Sequence, residues 1–307
     1  RGLEEAVERV RTLPKDEFIA MMHDAARWYR RAAEGKQDDA AFRLGRMYEE
    51  GRGVSQSDEE AARWYTAAVE KGHSEAKARL FAMCDSGRTM PQSDKVTALW
   101  YTAAAEQGDA EAQCELGVMY YCGKGVSTDS NNALQWFVRA AEQGYVKACF
   151  NAGWMYEQGL GTQGNDEEAA RWYQIAAEQG RAKAQYRLGL LYDEGRGVAQ
   201  SDEEAARWYR RAAEQGHVDA QFHLGWMYRR GRGLPQSNEK AARWYRSAAE
   251  QGHADAACKL GWMYECGFGI PQSHEKAMDW YRKAAEQGHD DAESRLEALR
   301  KAQREKA

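Results

Sequence analysis

The chain has 307 residues, of which 43% are hydrophobic and 30% charged, and its formal net charge is −5 at neutral pH. This composition is typical of a folded protein rather than a disordered one, and no apolar run approaches the roughly 18 residues that a membrane-spanning helix needs. We therefore expect no transmembrane segment. Because basic and acidic residues are interleaved instead of forming a basic stripe, we also expect no nucleic-acid partner.

The N-terminus and the cysteines bear on where the protein works. The chain begins Arg-Gly-Leu, without an initiator Met or a signal segment, so we expect that its native N-terminus has been trimmed and that targeting information is missing. Cys114 and Cys122 lie eight residues apart, as do Cys258 and Cys266. Eight residues of one helix span about 12 Å, beyond the roughly 7 Å between Cα atoms that a disulfide can bridge. The localisation stays unknown: the spacing slightly favours the reducing cytoplasm, and a periplasmic or secreted location stays open.

A repeat of 36 residues runs through the chain. Trp-Tyr occurs at positions 28, 64, 100, 172, 208, 244 and 280, and Trp-Phe occurs at 136. In chain order this period predicts a partial first repeat at 18–35, seven full repeats over 39–289, and a capping helix at 291–307 whose charged residues suit a solvated end. A fixed period of this size predicts one all-α solenoid over 1–307, in which each repeat buries its apolar face against its neighbours.

Each repeat is predicted to contain a helix, a loop and a second helix. In the segment 39–51 the apolar residues, Leu44 among them, recur at helical spacing, and Gly51 suits the left-handed C-cap. The loop 51–57 follows, and Ser57 with Glu60 predicts a capping box that starts the second helix.

The second repeat departs from this pattern. Phe81 stands where the first repeat has Gly45, and Cys84 replaces its Tyr. Because Gly allows a closer helix approach than Phe does, we predict a local change in superhelical curvature there. Neutral drift in a tolerant array is the alternative.

The repeated pattern A-x-x-x-L-G-x-x-Y-x-x-G-x-G-V, followed by A-x-x-W-Y-x-x-A-A-x-x-G, resembles the Sel-one-like repeat (SLR) family, a relative of the tetratricopeptide repeat. The resemblance covers nearly the whole chain. It implies an α-solenoid in the form of a right-handed superhelix of helix pairs, with the first helices lining the concave side. It also implies an adaptor or scaffold role, often in bacterial signalling, envelope assembly or host interaction, and no catalysis.

The first helix of each repeat is predicted to have two faces. In LGWMY at 224–228, placed at about 100° per residue, Leu224, Met227 and Tyr228 share one arc, which we assign to the core. Trp226 points away from that arc, together with Phe222 and Arg229. The second face is therefore the candidate surface for a partner.

Aromatic residues on this second face are concentrated in the later repeats. Stiff aromatic side chains make good anchors for a bound chain, and charged residues edge them. The predicted partner-binding groove consists of Phe150, Trp154, Glu157, Tyr186, Asp193, Phe222, Trp226, Arg229, Trp262 and Glu265. Three other repeats have Phe42, Cys114 and Cys258 at the position that Phe150 and Phe222 occupy in theirs, and we expect these residues to face the groove as well.

A packing role is the alternative for these aromatic residues. Neighbouring first helices lie side by side in a solenoid, so a ring such as Trp226 can be half-buried against the next repeat simply to seal the wall. The sequence leaves open whether packing, partner contact or both explain the stripe.

The sequence contains no motif for chemistry. His73, His217, His253 and His289 share one repeat position after a helix-ending Gly and are predicted to be solvated loop residues. No CxxC or HExxH zinc spacing, phosphate-binding GxxxxGK[ST] or GxSxG elbow occurs. We therefore predict no metal site, no cofactor and no catalytic residue.

The sequence thus predicts a non-enzymatic scaffold or adaptor that binds a peptide or protein segment in an aromatic-lined groove. A carbohydrate- or peptidoglycan-binding envelope or secreted protein, using the same rings as stacking platforms, is the alternative. A regulatory enzyme subunit or a hydrolase is a third and weaker hypothesis.

Overall fold

The computed structural model describes residues 14–34, 38–90 and 93–304. Within these ranges the chain forms sixteen helices and no strand, which confirms the predicted all-α fold. Consecutive helices pack against one another as the helix pairs of a repeat solenoid.

The helix bounds follow the predicted period. The partial first repeat forms α1 (Lys15–Glu34), and the capping helix is α16 (Asp290–Arg304); residues 35 and 305–307 of these two predictions lie outside the described residues. The first helices of the seven full repeats are α2 (Asp38–Glu50), α4 (Ser74–Asp85), α6 (Ala110–Cys122), α8 (Val146–Gln158), α10 (Ala182–Glu194), α12 (Val218–Arg230) and α14 (Ala254–Cys266). The second helices are α3 (Asp58–Val69), α5 (Asp94–Glu106), α7 (Ser130–Glu142), α9 (Asp166–Glu178), α11 (Asp202–Glu214), α13 (Asn238–Glu250) and α15 (His274–Ala285).

The helices group into two compact units, Arg1–Trp136 and Phe137–Ala307. In the first unit, buried Leu44, Tyr65 and Leu80 belong to one apolar cluster. In the second unit the largest cluster is built on side chains such as Leu224 and Tyr245. That one solenoid covers 1–307 stays a prediction.

In five repeats the tyrosine of the Trp-Tyr pair packs against the glycine of the preceding first helix. A Cβ atom added to Gly189 would lie 2.7 Å from both Cδ1 and Cε1 of Tyr209, closer than carbon atoms approach one another, and Tyr209 is fully buried. In the second repeat Phe81 takes the glycine position, and its partner Tyr101 is only half-buried. The change in curvature expected there stays a prediction.

The loop between the two helices of a repeat is held at both ends. Gly51 has a φ of 66°, which confirms the predicted left-handed C-cap. The Glu60 backbone N–H donates to Ser57 Oγ at 3.3 Å, but the Ser57 N–H donates to the Tyr48 carbonyl at 3.0 Å. The capping box is therefore only half formed, because the end of the first helix already supplies the acceptor for the second donor.

None of the six cysteines is part of a disulfide. This agrees with the expectation that the pairs Cys114–Cys122 and Cys258–Cys266 are too far apart to bridge.

Candidate functional site

The two predicted faces of the first helices are present in α12. Leu224, Met227 and Tyr228 are buried, which confirms the predicted core arc. Phe222 and Trp226, on the other face, are half-buried and pack against the edge of the core. The groove stripe is therefore partly covered by its own fold.

All ten predicted groove residues lie in the second compact unit, on α8, α10, α12 and α14, and all ten are half-buried. In three other repeats, the residue at the position of Phe150 and Phe222 is buried. Phe42, Cys114 and Cys258 are at least 95% buried, so the prediction that these positions also face the groove is wrong. Small or well-packed side chains at this position fit between adjacent first helices and do not reach the surface.

The aromatic ring at the repeat position of Phe222 contacts a residue of the next repeat. Phe222 stacks on His253 at 4.6 Å between centroids, and Tyr186 stacks in the same way on His217 at 4.6 Å. The Phe150 ring is covered by the guanidinium of Arg181, 4.7 Å from the ring centroid. In each case the partner is the N-cap residue of the next first helix, which supports a packing role for these three rings.

The histidines do not behave as solvated loop residues, so that prediction is wrong. His217 Nδ1 accepts the Ala220 backbone N–H at 3.4 Å, and His253 Nδ1 accepts that of Ala256 at 3.2 Å. A neutral imidazole nitrogen can take the role that a Ser or Asp oxygen usually plays at an N-cap. Burial lowers the pKa of His217, which favours the neutral ring that this role needs.

The predicted acidic edge of the groove is engaged inside the protein. Glu157, whose side chain is only 5% exposed, lies 3.6 Å from both Arg187 and Arg196 and accepts the Tyr173 hydroxyl at 2.7 Å. Burial, together with this carboxylate, raises the pKa of Tyr173 well above its ordinary range.

Asp193 and Glu265 make the same kind of contact. Asp193 accepts the Tyr209 hydroxyl at 3.4 Å and Glu265 accepts the Tyr281 hydroxyl at 2.6 Å. Because these carboxylates already hold hydroxyl and guanidinium groups, they stabilise the repeat and offer little acceptor capacity to a partner.

The tryptophans at positions 226 and 262 lie under arginines. The Arg232 guanidinium is 5.1 Å from the Trp226 ring centroid, and that of Arg229 is 5.2 Å from the Trp262 ring. Phe268 packs beside Trp262 at 5.0 Å. Sequence reasoning missed Arg232 and Phe268. Both hold the same loop position of the repeat, three residues after the last predicted groove residue of their repeats, Arg229 and Glu265.

The described residues show no arrangement that suggests a metal or membrane site. Among them, no three His, Cys, Asp or Glu side chains lie close enough to hold a metal ion. Within the same ranges, none of the helices combines the length and apolarity required to cross a bilayer.

Comparison with known proteins identifies the repeat. The Sel1 repeat model matches this chain eight times, at residues 22–36, 38–73, 74–109, 110–145, 146–180, 182–217, 218–253 and 254–289. Among curated proteins, none matches the chain significantly.

Two solved structures are similar in both sequence and fold. One is a protective antigen of uropathogenic Escherichia coli strains that displays an SLR fold: it is 35% identical with a TM-score of 0.69, and the match covers 89% of this chain and 59% of the antigen. The other is a Sel1 repeat protein from Oxalobacter formigenes, 32% identical with a TM-score of 0.61, matched over 94% of this chain and 83% of its own. The chain thus spans less than two thirds of the length of the Escherichia coli antigen. Since the family model matches nearly all of the described repeats, the chain belongs to the Sel1 repeat family, whose members are generally protein-interaction scaffolds.

Proposed function

We propose that this chain is a non-enzymatic scaffold that binds a peptide or protein segment along a tryptophan strip, defined as Trp154, Trp226 and Trp262 on α8, α12 and α14. The observation that carries the proposal is that these rings remain half-buried on the outward face, while the tryptophans of α9 and α11, Trp172 and Trp208, are almost fully buried. Indole rings that keep accessible area are the residues that most often anchor a protein interface.

The contacts of the other predicted groove residues narrow the proposed binding surface. Phe150, Tyr186 and Phe222 stack on the N-caps of following helices, so most of their ring surface is used within the fold. The strip and the guanidinium group of Arg229 are left as the groups with the chemistry for a partner, since Arg232 pairs with Asp193 and Asp202. Flat apolar rings next to strong hydrogen-bond donors suit an extended peptide.

Carbohydrate stacking is less well supported by this geometry. Arg232 covers Trp226 and Arg229 covers Trp262. A sugar needs an open indole face, and each of these rings has one face in contact with a cation. Titration of tryptophan fluorescence with peptidoglycan fragments gives no response if the strip binds only peptides.

The test uses peptides selected from a displayed random library on the full chain, with binding measured by fluorescence polarisation. The double substitution Trp226→Ala and Trp262→Ala is expected to weaken binding by about 30-fold or more, if each ring contributes a typical interface anchor. The matched control is Trp244→Ala with Trp280→Ala, which removes two half-buried tryptophans from the second helices α13 and α15. Equal affinity of both variants for the selected peptides, with both folded by circular dichroism, contradicts the proposal.

A further inference from the structure

One position of the repeat supplies a carboxylate that closes a buried polar cluster. It lies 16 residues before the tyrosine of the Trp-Tyr pair and accepts that tyrosine's hydroxyl in four repeats. An arginine 30 residues after the carboxylate completes the cluster in three of these repeats. The carboxylates are Glu49, Glu157, Asp193 and Glu265.

The repeat formed by α12 and α13 inverts the charge at this position, because Arg229 stands where five of the other six full repeats have Glu or Asp and the repeat of α6 and α7 has Tyr121. Tyr245 below it is fully buried, and neither its hydroxyl nor Arg229 Nε has a hydrogen-bond partner. Burial raises the pKa of Tyr245 to about 12, and the charge of Arg229 together with its side-chain contact with the hydroxyl acts in the opposite direction. A buried hydroxyl and a buried guanidinium nitrogen are thus left without the acceptor that neighbouring repeats provide, which is costly for both groups.

Two further positions of the cluster around Arg229 also change. Elsewhere a loop arginine pairs with an Asp at the start of the second helix, as Arg232 Nε does with Asp202 at 2.9 Å. Here Asn238 replaces that Asp and Phe268 replaces the arginine. Phe268 is 44% exposed and lies against Trp262. The ion pair is therefore replaced by an aromatic surface that continues the tryptophan strip.

These changes leave an unbalanced positive charge. The four cluster positions are neutral where the repeat of α8 and α9 meets the next repeat, because two carboxylates face two arginines there. They carry two positive charges where the repeat of α12 and α13 meets the next repeat. Neither Arg229 nor Lys259 forms an ion pair with any residue that the structure describes. The first set is Glu157, Asp166, Arg187 and Arg196, and the second is Arg229, Asn238, Lys259 and Phe268.

A cavity opens at this point. It has a volume of about 180 Å³ and is lined by Arg229, Cys258, Lys259, Trp262, Asp291 and Arg295, so three cationic side chains and one acidic side chain face it. A second cavity of about 280 Å³, which Arg230 and Phe268 help to line, adjoins it at Arg229 and Trp262. The first volume is below the range of about 300–1,000 Å³ of sites for drug-sized ligands, and suits the end of one side chain.

We infer that the cleft beside Arg229 binds the side-chain carboxylate of a Glu or Asp in a protein partner. This inference rests on the proposed function, because it specifies the chemistry of a segment bound along the tryptophan strip. The partner's carboxylate accepts hydrogen bonds from Arg229 and Lys259 while its aliphatic stem lies against Trp262. It thereby supplies to the repeat of α12 and α13 the hydrogen-bond acceptor that Glu157 supplies to the repeat of α8 and α9. An Asp or Glu side chain is the favoured source, because the equivalent position carries one in five of the other six full repeats.

The inference is tested on the full chain with three blocked tripeptides as probes. Ac-Gly-Glu-Gly-NH2 carries a side-chain carboxylate, Ac-Gly-Gln-Gly-NH2 is its neutral analogue, and Ac-Gly-Gly-Gly-OH carries only a terminal carboxylate. The readout is the indole N–H NMR signal of Trp262, assigned from its absence in Trp262→Phe. We expect the Glu peptide to shift this signal with a dissociation constant on the order of 1–10 mM, and the Gln peptide to bind at least tenfold more weakly.

Two variants with the same change in charge separate the site from general electrostatics. Arg229→Glu restores the carboxylate of the other repeats, so the Glu peptide should no longer shift the Trp262 signal. Arg243→Glu, on the exposed side of α13, should leave the shift unchanged. Unaltered signals from the remaining indoles show that each variant is folded.

The other outcomes overturn the inference. No shift with the Glu peptide at concentrations tenfold above the expected dissociation constant, equal shifts with the Glu and Gln peptides, or tighter binding of the terminal-carboxylate peptide each rule out a side-chain carboxylate site. Failure of the proposed function is recognised separately, since library-selected peptides then bind equally well after Trp226 and Trp262 are replaced.

Discussion

Replacement of a single hydroxyl should have opposite consequences in two repeats. Tyr173 donates its hydroxyl to Glu157 at 2.7 Å, whereas the equivalent Tyr245 hydroxyl is buried without a partner. Tyr→Phe removes only the oxygen and leaves the ring against the glycine of the first helix, at Gly153 in one repeat and at Gly225 in the other. The two variants therefore differ mainly in whether a hydrogen bond is lost.

The expected magnitude follows from the charge of the acceptor. A hydrogen bond to a charged group contributes about 1.5–3 kcal/mol, so Tyr173→Phe should lower the local free energy of unfolding by about that amount. Glu157 still has Arg187 and Arg196 beside it after the substitution. The expected loss of free energy therefore lies toward the lower end of this range. Tyr245→Phe should cost less than about 0.5 kcal/mol or should stabilise, because it removes an unsatisfied polar atom from the core.

Native-state hydrogen exchange is the suitable assay, since repeat arrays often unfold in parts rather than in one step. Exchange of the amides of α9 should accelerate by about 10-fold or more in Tyr173→Phe, because 1.36 kcal/mol corresponds to a factor of ten. Amides of α13 should keep their rates in Tyr245→Phe. Equal acceleration in both variants would refute the assignment of a paired and an unpaired hydroxyl, and so would unchanged rates in α9.

Two further predictions concern packing and pH. Gly189→Ala should destabilise the fold, because overpacking against Tyr209 costs about 1–3 kcal/mol, more than the gain in helix propensity of up to about 1 kcal/mol. The midpoint of thermal unfolding should therefore fall. The control Gly164→Ala, whose Cβ would meet nothing closer than 3.8 Å, should leave the midpoint unchanged. Burial lowers the pKa of His217 and of His223, so the unfolded chain binds more protons and stability falls as the pH drops below about 6.5. The melting temperature should fall less between about pH 7.5 and 5.5 when His217→Asn, which keeps a cap acceptor, is combined with His223→Gln; an unchanged pH dependence would contradict the role of these two histidines.

Several features of the fold could be predicted because they depend on short-range patterns. The 36-residue period, the helix lengths and the buried arc of α12 at Leu224 and Tyr228 all follow from helical spacing, which acts over one or two turns. The glycine C-cap at Gly51 follows from local backbone preference. The direction of Trp226, away from the buried arc of its helix, could be predicted for the same reason, since it is a local property of the helix.

The role of each residue on that face could not be predicted in the same way. His217 and Arg181 hold the same repeat position, and only the structure shows that both meet the ring of the preceding repeat. The acidic residues of the predicted groove edge were assigned to a partner. The structure instead places Glu157 under Tyr173, 16 residues further along the chain.

The sequence by itself determined that this protein is a Sel1-type α-solenoid, because repetition imposes the same helix pair and the same buried face on every repeat. Only the tertiary structure decided which polar groups of the outward face are engaged within the fold, because these clusters join residues far apart in the chain, at separations of 16, 30 and 39 positions around Glu49. Arg229 shows the difference most clearly. In the sequence it is one charged residue at the edge of an aromatic stripe, and in the structure it is a cation at a position where neighbouring repeats bury a carboxylate.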